Sequence, residues 1–122
     1  FADDESFPRV EILFSHADND SRLVDAVTAS GADGLVFAGL GNGCIPDKVL
    51  PGLVRAHEKG LAIVRASRVF TGAVFNGLSE WEDAGLISAW NLSAAKSRIL
   101  LQLALKKGIR DTDALRELFR LY

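Results

Sequence analysis

The 122 residues, 48% of them hydrophobic and 25% charged, supply enough apolar side chain for one buried core and describe a single globular domain. A net charge of −2 leaves no basic footprint, which argues against nucleic acid and against anionic membranes as partners. No apolar run approaches the ~20 residues of a membrane-spanning helix, and the single cysteine, Cys44, excludes an internal disulfide.

In chain order, residues 1–8 are acidic and close on Pro8, the pattern of a linker. With no methionine anywhere, residue 1 included, the expectation is a piece of a longer protein, with 1–8 entering from an upstream domain and the folded unit over 9–122. Arg9 to Ser15 is apolar and β-rich and predicts the first strand. Ala17-Asp18-Asn19-Asp20 supplies turn and cap chemistry. Leu23, Ala26, Val27 and Ser30 then fall on one helical face, stopped by Gly31. Gly34 to Ala38 predicts a buried second strand, followed by Gly39-Leu40-Gly41-Asn42-Gly43-Cys44-Ile45. Pro46-Asp47 reads as a helix start because proline suits the first helical position. The helix is expected to Lys59, with Val49, Leu53 and Ala56 inward and Gly60 as its stop.

Leu61 to Arg65 predicts the third strand, residues 70–84 a long loop of the kind that often carries function, and Gly85 to Ala89 a short fourth strand. Ser93 is expected to cap a helix in which Ile99, Leu100, Leu101, Leu103, Ala104 and Leu105 cover most of the circumference, so that it is buried on two sides. Asp111 is expected to cap a last helix with Leu115, Leu118, Phe119 and Tyr122 on one face. Strands alternating with helices over short links predict an α/β fold: a three-layer, Rossmann-like (flavodoxin-like) domain of about four parallel strands flanked by helices.

The glycine loop is the leading candidate site. Strand-end loops of α/β sheets carry their ligand sites, and a glycine turn turns spare N–H groups toward an anion or polar ligand; the alternative is a plain tight turn. The spacing G-x-G-x-G departs from the dinucleotide fingerprint G-x-G-x-x-G, and Arg65 stands where a ribose-binding carboxylate would close the next strand. No P-loop lysine follows. His16 and His57 have no second ligand at metal-binding spacing and read as structural. Glu80, Glu82 and Asp83 are the carboxylates of the long loop. Thr28, Thr71 and Thr112 have no base beside them in sequence, which speaks against a nucleophile here. Cys44 precedes a helix start, which favours a thiolate, or else fills space as a small apolar residue.

Several ordered motifs carry a resemblance. Phe7-Pro8-Arg9-Val10-Glu11-Ile12, Gly34-Leu35-Val36-Phe37-Ala38-Gly39-Leu40-Gly41-Asn42-Gly43, Ile63-Val64-Arg65-Ala66-Ser67-Arg68-Val69, Thr71-Gly72, Leu92 to Leu105 and the closing Asp111 to Tyr122 resemble the C-terminal domain of bacterial type II L-asparaginases and glutaminase-asparaginases over nearly the whole chain. The resemblance implies an amidohydrolase of L-asparagine or L-glutamine that needs no cofactor and no metal. It implies a homo-oligomer, a dimer of dimers, whose nucleophilic threonine lies in an N-terminal domain that this chain lacks, so that no catalytic residue falls here. The C-terminal domain would complete the neighbouring subunit's pocket with Asn42, Gly43 and Cys44 of the glycine loop and with Glu80 or Glu82. Cys44 departs from the family, which usually has Asn or Ser there. The implied compartment is the periplasm, with the cytoplasm as alternative. A free-standing small-ligand or regulatory binding module of flavodoxin-like fold is the rival reading.

Overall fold

The computed structural model describes residues 8–14, 20–39, 45–67, 79–90 and 92–122, with the backbone alone for 79 and 80. Four strands, β1 (Val10–Phe14), β2 (Gly34–Gly39), β3 (Ala62–Ser67) and β4 (Ile87–Ser88), form one parallel sheet in the order β1-β2-β3-β4. The helices are α1 (Arg22–Ala29), α2 (Leu50–Glu58), α3 (Ser79–Asp83), α4 (Ala94–Lys106) and α5 (Thr112–Leu121).

All six residues of β2 are buried, as a central parallel strand covered on both faces requires. Side chains alternate across the sheet, and the two faces feed two clusters. Leu35, Phe37 and Ile63 pack with Val24 of α1, Leu53 and Ala56 of α2 and Trp81 of α3. Val36, Ala38, Val64 and Ala66 pack with Leu101, Ala104 and Leu105 of α4 and Leu115 and Phe119 of α5. A sequential strand order joined by right-handed crossovers puts every connecting helix on one face. The two closing helices must then cover the other, which gives a three-layer, Rossmann-like α/β domain. At Gly34 the close approach of α4 leaves no room for a side chain: a Cβ there would lie 2.8 Å from Leu101 Cδ2.

Several local expectations hold. Ser93 Oγ accepts the N–H of Lys96 at 3.1 Å and Asp111 Oδ2 that of Ala114 at 3.0 Å, so both helices are capped as read. Gly31 and Gly60, expected as helix stops, take φ of +84° and +101°. Others are corrected. The buried anchor of α1 is Val24, one residue past the expected stripe, while Leu23 is half exposed. Pro46 does not open α2. Its carbonyl accepts from Val49 and Leu50 in a preceding turn, and Pro51 occupies the first turn of the helix. Arg65 lies inside β3, which runs on to Ser67. The loop expected over 70–84 contains α3, and its residues 70–78 lie outside the described residues. Tyr122, expected on the inner face of the last helix, is 66% exposed.

Candidate functional site

Because all strands run the same way, Phe14, Gly39, Ser67 and Ser88 end at one edge of the sheet, the carboxyl edge. Asn42, Gly43 and Cys44 follow the end of β2, and His16 that of β1; all four lie outside the described residues. The frame around the glycine loop is described. Ile45, where the chain returns, is buried with Val49 and Leu53. The Ser21 hydroxyl donates to the Lys48 carbonyl at 2.8 Å and accepts the Gly52 N–H at 3.1 Å, tying the start of α1 to the start of α2. A Cβ at Gly52 would stand 2.8 Å from the Ser21 hydroxyl oxygen, so the missing side chain permits this contact. Asp20 assists from outside the helix, accepting the Arg22 N–H at 2.9 Å. That backbone bond, followed by one from the Arg22 guanidinium, holds its carboxyl below the usual carboxylate range.

Glu80 and Glu82 both belong to α3. Between them Trp81 is buried, 8% exposed, and fixes the helix to the sheet. Glu82 is half-buried, and its carbonyl accepts the Gly85 N–H at 2.9 Å in the turn that leads to β4. Gly85 has φ +88°, and a Cβ there would run into the His57 imidazole. His57 therefore serves as a packing surface between α2 and that turn, with a buried Nδ1 that has no hydrogen-bond partner among the described residues. Since His57 belongs to the last turn of α2, this turn lies toward the opposite edge of the sheet, and Glu80 is nearer the carboxyl edge than Glu82.

Sequence reasoning missed Arg65. It is 2% exposed, donates from Nη2 to Ser88 Oγ at 3.0 Å and sits 4.7 Å from the centroid of the Trp81 ring. A buried guanidinium needs such partners, because an uncompensated charge in a core is costly. The signal was an arginine within the buried run Ala62 to Ser67; its partners are remote in sequence. Arg116 of α5 was missed too. Its Nη2 donates to the carbonyls of Glu82 at 2.7 Å and Leu86 at 3.2 Å, joining the helix layer on one face to α3 on the other. Among the described residues no three His, Cys, Asp or Glu side chains gather where they could hold a metal ion, and no helix is long and apolar enough to cross a membrane.

A family model described as the glutaminase/asparaginase C-terminal domain matches residues 9–119. L-asparaginase 2 of Escherichia coli is 37% identical over 117 residues, covering 94% of this chain and 33% of that protein. The glutaminase-asparaginase of Pseudomonas fluorescens is 32% identical over 117 residues, again 94% of this chain and 32% of the relative. A probable periplasmic L-asparaginase of Haemophilus influenzae is 32% identical over 117 residues, 94% of this chain and 33% of its own length. The chain thus spans about a third of the length of the curated relatives it matches.

Proposed function

The chain belongs to the glutaminase/asparaginase C-terminal domain family, and from that premise we propose that it works as the C-terminal domain of an amidohydrolase. The whole enzyme would convert the side-chain amide of L-asparagine, and of L-glutamine, to the acid and ammonia. The observation that carries this reading is the family match over residues 9–119. Residues 1–8 would enter from an N-terminal domain that holds the nucleophile. The compartment would be the periplasm, as the name of the Haemophilus relative suggests.

In this reading the carboxyl edge of the sheet is one wall of a pocket whose other wall a neighbouring subunit supplies. The strand order supports it. An open α/β sheet makes its own crevice where crossovers diverge to opposite faces, and the sequential order of these strands provides no such point. Asn42, Gly43 and Cys44, leaving β2, would line the wall. A carboxylate of α3, Glu80 by its nearness to the edge, would pair with the cationic amino group of the substrate.

The test is substitution in the whole enzyme. A neutral hydrogen bond gained or lost is worth about 0.5–1.5 kcal/mol, more toward a charged group. Cys44→Asn is therefore expected to alter kcat/KM by at most about 3- to 30-fold, and unequally for asparagine and glutamine. A drop of several orders of magnitude would place the thiol in the chemical step. Unchanged kinetics with both substrates would remove Cys44 from the pocket.

The reading also includes a homo-oligomer. Ile99 and Leu103 on α4 are 53% and 50% exposed, and with Leu92, Leu100 and Tyr122 they line an apolar groove. We place a second copy of the chain there, since two such strips can meet about a twofold axis. Sedimentation of the chain at rising concentration should show association that an Ile99→Glu, Leu103→Glu double substitution abolishes. A monomer at all concentrations would sink this contact.

A further inference from the structure

We propose that Arg65 and Arg116 form a two-sided clamp that positions α3, and with it the carboxylate that α3 presents at the pocket. The inference rests on the reading of α3 as a pocket wall and adds to it the residues that hold that wall in place.

The need for a clamp follows from the size of α3. Its five residues make less than two turns, too short to be stable from its own hydrogen bonds. Something outside α3 must fix it, and two cations do so at consecutive residues. From within the sheet, the buried guanidinium of Arg65 stands over the face of Trp81 at 4.7 Å, itself held by Ser88 Oγ at 3.0 Å. From the far helix layer, Arg116 reaches the Glu82 carbonyl at 2.7 Å and the Leu86 carbonyl at 3.2 Å. The Glu82 carbonyl lies at the carboxyl-terminal end of α3, where backbone carbonyls have no partner within the helix and attract a cation. One arginine thus fixes the ring that seats α3, and the other fixes its end and the approach to β4. Together they remove both translation along the sheet and rotation about the axis of α3.

Arg65 acts through the Trp81 ring and Arg116 through the Glu82 and Leu86 carbonyls, so each is a positioning residue. Arg116 is the better probe, because its side chain is a third exposed and its removal leaves no buried charge alone. In the whole enzyme, Arg116→Ala is expected to speed amide hydrogen exchange of α3 by about tenfold while the remaining helices keep their protection. It should raise KM by about 3- to 10-fold with kcat unchanged, the signature of lost uniform binding. Arg116→Lys, which still donates to the carbonyls, should recover most of both effects. Arg120→Ala, which removes an exposed ion pair with Glu117 on the same helix, should change neither. Trp81→Leu tests the other side and should loosen α3 in the same way.

Unchanged exchange of α3 in Arg116→Ala would overturn the clamp, and so would faster exchange spread evenly over the domain. Faster exchange confined to α3 with KM unaltered would overturn the positioning role. In that case Glu80→Gln and Glu82→Gln separate the causes. A KM shift in either keeps α3 in the pocket without need of the clamp, and none in both removes α3 from the pocket.

Discussion

Ammonia release from L-asparagine or L-glutamine by the 122-residue chain alone is expected to stay at the level of a buffer blank. Amide hydrolysis at neutral pH needs a nucleophile with a base in hydrogen-bond reach. Among the described residues, Ser21, Thr28, Ser30 and Ser93 have their hydroxyls engaged with backbone groups. The Nδ1 of His57 is buried with no partner among those residues, and the imidazole lies against Gly85. If the nucleophile resides in a separate N-terminal domain, the chain alone loses the chemical step entirely, a deficit of at least about a millionfold against the whole enzyme. The measurement is a coupled ammonia assay on chain purified from a host without its own asparaginase. Turnover that scales with chain concentration would mean that the chain holds a nucleophile of its own and would sink the proposed division of labour.

Legibility followed the range of the interactions. β2 could be read because its apolar run is set by local sequence and both faces of a central strand are buried. The caps at Ser93 and Asp111 could be read because their partners lie three residues on. The inner face of α1 was misread by one position because eight residues make only about two turns. Leu23 and Val24 then define neighbouring stripes, and only the sheet below chooses Val24. The misplaced start of α2 has a similar cause. Two prolines, Pro46 and Pro51, each suit a first turn, so the local sequence does not choose between them, and the chain makes a separate turn at Pro46 before the helix begins at Leu50. α3 has one apolar anchor, Trp81, and so no period to detect. Its other supports, Arg65 and Arg116, come from a strand earlier in the chain and a helix later in it. Long-range polar contacts of that kind leave no periodic trace, which is why the frame of the site was hidden while the sheet beneath it was plain.

Substituting Phe119 with alanine is the stability change expected to be largest. The ring is fully buried, in the cluster that joins α5 to Ile87, Ala89 and Leu105, and its removal leaves a cavity among elements already fixed on the sheet. Phe→Ala at such a site costs about 3–5 kcal/mol. Against the 5–15 kcal/mol that holds a typical domain together, that is a large fraction. Tyr122→Ala, on the same sequence stripe but 66% exposed, should cost no more than about 0.5 kcal/mol. Urea unfolding of the two variants beside the unaltered chain measures both, and an unchanged slope would show that midpoints report stability alone. Equal costs would mean that the stripe read from sequence is uniformly buried and that the end of α5 is misplaced. A cost below about 1 kcal/mol for Phe119→Ala would mean that α5 is not docked at all. Arg116 then would have no fixed base from which to hold the Glu82 carbonyl, so this measurement of the core also tests the support beneath α3.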